Sequence, residues 1–496
     1  MSKIPTGLSQ RWPLRIANVL IACRELPEVT TSTLRDAAQS IFRQSLDDCS
    51  IERAFAQAIN VRNESGKLQL LINGAKPTAL DLLRHIRVIA IGKASTAMLN
   101  ALLICLKPCA HQDISGILIA GEQPSAIPPK FQFFQGGHPL PNEASQSGAQ
   151  AALNLLRDLH NDNDEAAETL VFFLISGGAS AMMELPLDPS ISLEDTGSFH
   201  RELVHSGASI AEINCIRKHF SAVKGGRLAL AAHGIASLSL LISDVPPEHL
   251  DALASGPTLP DTSTVEQCRE ILARYDLQSR FPLSVRQFFA RPDLPETPKP
   301  ETFTASAITL LSSDDLAEAA RRRAEALGFH AVIDNTCDDW DYRAAAEYLV
   351  DRLRSLRSID PRVCLISSGE VTVTLPSAAK QSLGGRNQHF SLYAATLLDP
   401  SDASTVILSA GSDGVDGNSP AAGGIVDEQT LNASEETLRE AKKSLDMFDS
   451  HTFLERMKAT ISTGPTGNNL RDLRILLSAA DESSESRRRD GGPGGI

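Results

Sequence analysis

Residues 170–183 read LVFFLISGGASAMM: six apolar residues, a Ser-Gly-Gly turn and a helix-compatible stretch. A continuous apolar run of this length suits a parallel strand buried on both faces. A strand that enters a glycine turn and then a helix is the repeating unit of an α/β fold. The turn, Ser176-Gly177-Gly178-Ala179-Ser180, points backbone N–H groups toward a place where an anion could sit, and its glycines let a phosphate approach the backbone. It matches neither GxxxxGK[ST] nor GxGxxG. On its own it is either an anion-binding turn or a plain tight turn.

Working outward, similar runs at 87–91, 116–120, 237–242, 307–311, 362–366 and 405–408 alternate with helical stretches such as 149–159 and 314–327, the latter stopped by Gly328. The alternation predicts an α/β architecture. A chain of 496 residues exceeds what one core supports, because single cores stop growing near ~250–300 residues. Residues 291–300, RPDLPETPKP, carry four prolines, which neither a helix nor a central strand tolerates. The expected organisation is an extension at 1–34, a nucleotide-binding domain at 35–290, a proline-rich linker at 291–300, a second α/β domain at 301–480 and a disordered tail at 481–496.

With 47 Lys plus Arg against 61 Asp plus Glu, the net charge is −14, which argues against a general nucleic-acid binder. The eight cysteines are scattered with no CxxC, as expected of reduced thiols in a cytosol-like compartment. No apolar run approaches the roughly 20 residues a membrane helix needs, so a cytoplasmic protein without a membrane partner is expected. Lys3, Arg11, Arg15 and Arg24, with no acid in 1–24, faintly suggest a transit peptide and keep a mitochondrial location as the alternative.

Other candidate groups follow apolar segments. Lys93 in GKAS (92–95) would place a cation at the carboxyl edge of a sheet, where open α/β folds bind ligands. His138 in GGHPLP and Asp244 in LLISDV stand in comparable positions. Residues 214–228, NCIRKHFSAVKGGRL, carry Arg217, Lys218, Lys224 and Arg227, as either a phosphate-facing cluster or an amphipathic helix with a solvated basic face. Arg386 follows a glycine pair in GGRNQ, where its fork could grip a carboxylate or phosphoryl group. Asp413 and Asp416 in SDGVDG are either Mg²⁺ ligands or an Asx turn. HExxH, GxSxG and the HRD–DFG pair are missing.

In this order, and together with ASGPT (254–258), DSHTF (449–453) and TGPTGNN (463–469), these motifs resemble the glycerate 2-kinase family, whose C-terminal half is the MOFRL domain. The resemblance spans about residues 35–475. It implies two α/β domains, the first Rossmann-like, with the active site in the cleft between them. It also implies phosphoryl transfer from ATP, with Mg²⁺, to the 2-hydroxyl of D-glycerate by a monomer or homodimer. The alternatives are 3-hydroxyl regiochemistry and hydroxypyruvate reductase, a label some members have received. The reductase needs a nicotinamide fingerprint that does not follow the first clear strand. Carried over residue by residue, Lys93 and Arg386 become catalytic cations and Asp244 the carboxylate near the reacting hydroxyl. Asp244 and Asp413 become metal ligands. Ser176, Gly177, Gly178, Ser180, Asn214, Lys224 and Gly225 would hold the nucleotide. The chain departs from the family pattern at Ala179, Asp314, Asn468 and Pro420, the last removing a charge beside the proposed metal turn.

Overall fold

The structure is a computed structural model that describes residues 31–479, apart from 65–66, 74–77, 110, 304, 376–381, 400–401, 403 and 432–433. The expectations for the tail 481–496 and for most of the extension 1–34 lie outside the described residues.

Three strands, β1 (Ile59–Glu64), β2 (Lys67–Ile72) and β3 (Thr78–Ala79), form a small antiparallel meander. Six more, β4 (His85–Ile91), β5 (Asp113–Ala120), β6 (Phe131–Gln135), β7 (Thr169–Ile175), β8 (Ala236–Ile242) and β9 (Ala307–Leu311), make the first large sheet. All neighbours in it are parallel and the order is β6-β5-β4-β7-β8-β9. Renumbered within the sheet this is 3-2-1-4-5-6, the doubly wound dinucleotide-fold order. The expected Rossmann-like first unit is therefore present. The order reverses between β4 and β7, and every residue of β7 is buried, as its unbroken apolar run requires.

The remaining strands are β10 (His330–Ile333), β11 (Arg362–Ser368), β12 (Thr405–Gly411), β13 (Gly423–Asp427), β14 (Thr460–Ile461) and β15 (Asp472–Ala479). They form a mixed sheet in the order β10-β11-β15-β12-β13-β14. Only β10 and β11 pair in parallel, and β15 runs antiparallel to both β11 and β12. Parallel pairing is thus the wrong expectation for 405–408, which is antiparallel to both neighbours, and half right for 362–366, which is parallel to β10 and antiparallel to β15. Burial on both faces makes the runs apolar, and burial does not encode direction.

The proline-rich segment is not the place where the chain changes lobes. Leu294 and Thr297 are buried in it, Thr297 Oγ1 donates to Asp261 Oδ2 at 2.9 Å, and the chain then enters β9 at the edge of the first sheet. The change comes after β9, at helix Ser313–Ala326, which packs on β10 and β11. The described chain also begins on the second lobe. Helix Thr31–Asp48 lies on β12, β15 and helix Ser313–Ala326, pinned by Arg35–Asp427 and Arg323–Asp48 ion pairs. Apolar side chains of both lobes, among them Phe42, Phe55, Val88, Leu99, Leu316 and Ile475, merge in one buried cluster. Among the described residues no helix is long and apolar enough to cross a membrane, and the seven described cysteines are free.

Candidate active site

Open parallel sheets bind ligands beyond the carboxyl ends of the strands where the order reverses. Here that crevice separates the turn after β4, carrying Gly92 and Lys93, from the turn after β7, carrying Ser176, Gly177 and Gly178. Three hydrogen bonds lock the two turns together. Ser176 N donates to Ile91 O at 3.1 Å, Lys93 N to Gly177 O at 2.9 Å, and Ala94 N to Ser176 Oγ at 3.0 Å. Gly92 (φ 115°) and Gly178 (φ 81°) hold conformations that side chains rarely adopt. Ser176 is buried and spent on this lock.

The chemistry sits on the glycines. A Cβ on Gly177 would lie 1.9 Å from Asp244 Oδ2, and one on Gly178 would lie 3.0 Å from Lys93 Cγ and 3.3 Å from His138 Cδ2. Gly177 and Gly178 therefore let a carboxylate, an ammonium and an imidazole close on one turn. Burial raises the Asp244 carboxyl above the ordinary range, more than Lys93 and Arg471 lower it. Burial also lowers the His138 imidazole, with Lys93 adding to the effect, both favouring the neutral ring. Asp244 thus combines a raised proton affinity with an exposed cation beside it, the setting of a group that exchanges a proton with a bound hydroxyl.

A cavity of about 630 Å³ opens here, with His138, Gly177, Gly178, Ser180, Asn214 and Asp244 on its wall. Ser180 Oγ bonds Ser255 Oγ at 2.9 Å, and Ser255 Oγ donates to Asn214 Oδ1 at 3.0 Å, forming a polar rail. A second cavity of about 790 Å³ lies on the other lobe and takes in Glu370, Arg386 and Asp413. Asp339 borders both. The guanidinium of Arg386 is forked onto Asp472 (2.6 and 3.1 Å) and bonded to Glu370 (2.7 Å). Burial would lower its proton affinity, but the two carboxylates raise it. Three of its five N–H groups are used this way, and two remain for a ligand.

Two expected nucleotide ligands are corrected. Lys224 is 1% exposed; its ammonium donates to Glu184 Oε2 at 2.6 Å and Met183 O at 3.3 Å, and His200 Nε2 meets the same oxygen at 2.9 Å. It stands behind the cavity wall, with no lone charge to offer a phosphate. Gly225 packs on Lys218 and Thr297; Lys218 lines the cavity and Gly225 does not. Burial alone would raise the Glu184 carboxyl, but Lys224 and His200 hold it down at about 2, against 4.5 ordinarily. A depressed folded-state value means the stabilisation is present at neutral pH and drains as pH falls from 4.5 toward about 2. Glu184→Ala leaves Lys224 buried and alone. It is expected to cost about 3–5 kcal/mol, read as a lower Tm at pH 7, with the deficit against the parent shrinking toward pH 2.

Asp413 and Asp416 divide the two readings of their turn. Asp416 is buried and accepts from the backbone N–H groups of Asn387 and Gln388, at 3.0 and 2.8 Å, and from both their side chains; it fastens the start of helix Arg386–Ala395. Asp413 Oδ1 accepts from Val415 N at 3.0 Å, an Asx turn, while the residue still borders the second cavity. Asp244 and Asp413 therefore face different cavities. Among the described residues no group of three His, Cys, Asp or Glu side chains gathers to hold a metal.

Sequence reasoning missed Arg471 and Asp339. Arg471 (φ 66°) forks onto Asp338 at 2.6 and 2.8 Å, is 5% exposed, and is the second-lobe cation whose field reaches Asp244. It lies two residues beyond TGPTGNN, and its backbone strain has no signature in residue type.

The doubly wound sheet, a cation and a carboxylate packed against one glycine turn, and an arginine at the start of a helix of the second lobe define a two-lobed α/β protein built around an anion-directed crevice. Residues 37–290 match the family DUF4147, a domain of unknown function, and residues 363–472 match the MOFRL family. The glycerate 2-kinase of Pyrococcus horikoshii is 33% identical over 452 residues, covering 90% of this chain and 97% of that protein. The D-glycerate 2-kinase of Thermotoga maritima is 34% identical over 401 residues, 80% of this chain and 91% of that one. The crystal structure of glycerate kinase from Thermotoga maritima superposes with a TM-score of 0.75 at 31% identity, covering 90% of this chain and all of that one. The chain belongs to the glycerate kinase family.

Proposed function

We propose that the protein transfers the γ-phosphoryl group of ATP to the 2-hydroxyl of D-glycerate, giving 2-phosphoglycerate and ADP. The carrying observation is that Asp244 and Lys93 close on the same Gly177–Gly178 turn at the point of strand-order reversal. Phosphoryl transfer is mostly positioning and charge neutralisation, and each crevice residue has a part in it. The Gly177–Gly178 backbone and Ser180 cradle phosphate, while Asn214 braces Ser180 through Ser255. Lys93 neutralises the migrating group from one side and Arg386 from the other. Asp244 receives the proton of the attacking hydroxyl.

Mg²⁺ keeps most of its waters and binds through one or two carboxylates plus phosphates. A donor set without a three-group cluster fits that habit. Asp244 and Asp413 face different cavities, so the two would hold one ion together only once the lobes close on each other, and when bound it would spread the charge of the phosphate chain.

Enolase acts on 2-phosphoglycerate but not on the 3-isomer, which separates the regiochemistries. Product from ATP, Mg²⁺ and D-glycerate is expected to yield phosphoenolpyruvate with enolase alone. A requirement for phosphoglycerate mutase would assign the 3-hydroxyl instead, and NADH oxidation with hydroxypyruvate in place of phosphorylation would assign a reductase.

A further inference from the structure

Arg217, on helix Ile210–Phe220, reaches the same cavity as Asp244. Its Nε is buried and has no hydrogen-bond partner. The carboxylate whose field it feels, Glu184, is already taken by Lys224 and His200. Its neighbour Lys218 is neutralised by Asp251 and Asp261, at 2.7 and 3.0 Å. Of the two Lys and Arg side chains on this wall, Arg217 is the one without an ion-pair partner among the described residues. A half-buried guanidinium with no carboxylate against it carries an uncompensated cost, and the site is balanced when a bound anion supplies the missing charge.

We propose that Arg217 anchors the carboxylate of the acceptor substrate, an inference that rests on the glycerate kinase reading above. A planar carboxylate takes two parallel N–H bonds from a guanidinium fork, and the fork of Arg217, which lines the cavity, is held by no carboxylate among the described residues. In a 2-hydroxy acid the carboxylate is attached to the carbon that bears the reacting hydroxyl. Its anchor must therefore share a cavity with the acid that faces that hydroxyl, as Arg217 does with Asp244. The nucleotide phosphates already have the glycine turn and Lys93. Arg217 thereby selects acids over neutral polyols.

Steady-state kinetics of the full chain with D-glycerate and with its neutral amide, D-glyceramide, test this. Arg217→Gln is expected to raise KM for D-glycerate by roughly 10²-fold, with KM for ATP within about twofold, and to abolish the preference for the acid over the amide. Arg217→Lys, which keeps the charge but loses the fork, falls between. A raised KM for ATP with that for glycerate unchanged would make Arg217 a phosphate ligand and overturn the proposal. A lowered Tm with both KM values unchanged would reduce it to structural support for the Glu184 cluster. The parent protein controls the underlying reading: no phosphorylation of D-glycerate by it sinks the kinase assignment, whereas an active parent with indifferent Arg217 variants sinks this inference alone.

Discussion

Replacing Arg386 with alanine is expected to lower kcat by roughly 10³-fold or more, the scale of losing an arginine that stabilises a phosphoryl transition state. The substitution also takes the cation from Asp472, which is 2% exposed, and from Glu370, whose carboxyl burial already raises, with Asp472 adding to the effect. Some thermal stability should go with it. Arg386→Lys separates the two effects, because an ammonium keeps a positive charge near Asp472 but cannot span both carboxylates and the phosphoryl group. The lysine variant should melt close to the parent yet lose roughly 10²-fold in kcat. Parental turnover in a folded Arg386→Lys protein would assign Arg386 to structure alone.

Gly177→Ala should be nearly as severe for a different reason. Gly177 is not among the residues at positive φ, so alanine costs the backbone little. The methyl, however, would lie 1.9 Å from Asp244 Oδ2 and 2.7 Å from its Cγ, and the carboxylate has to move by an ångström or more. A displacement of about 1 Å at a reacting group can cost about 10²-fold in rate. The expected result is a kcat loss of that size in a protein that still binds nucleotide. Unchanged kcat would mean that the position of Asp244 does not matter to the reaction.

Much of the first lobe is legible in the sequence because most of its parallel strands carry an apolar run that ends in a polar or glycine turn, and because β4 and β7 end in the two most informative motifs; β6, FQFFQ, escapes because glutamines interrupt its apolar residues. The second sheet is less so. Strand β15 is its buried centre, yet DLRILLSA begins with charges at Asp472 and Arg474 that mask its character. The lobe change after β9 escapes because a proline cluster signals irregular backbone, not an end of packing. Among the site residues, Lys93, Asp244, Gly177 and Gly178 come together because short turns of one sheet carry them. The pairing of Lys224 is illegible because its partner Glu184 stands 40 residues earlier, beyond any local pattern. The partners that orient Arg386, Glu370 and Asp472, are 16 and 86 residues away. Both positions are determined by tertiary packing.

The apolar cluster common to both lobes limits how freely they swing, since large hydrophobic contacts resist relative domain motion. A closure that brought Arg386 toward Lys93 would have to pivot about this seam, with helix Thr31–Asp48 keeping its hold on the second sheet.

The most direct measurement is a crystal structure of the protein with ADP, aluminium fluoride and D-glycerate, which mimics the migrating phosphoryl group. Lys93 Nζ and the guanidinium of Arg386 are expected on opposite sides of the fluoride, each at about 3 Å. An occupied site in which either side chain points elsewhere would contradict the account.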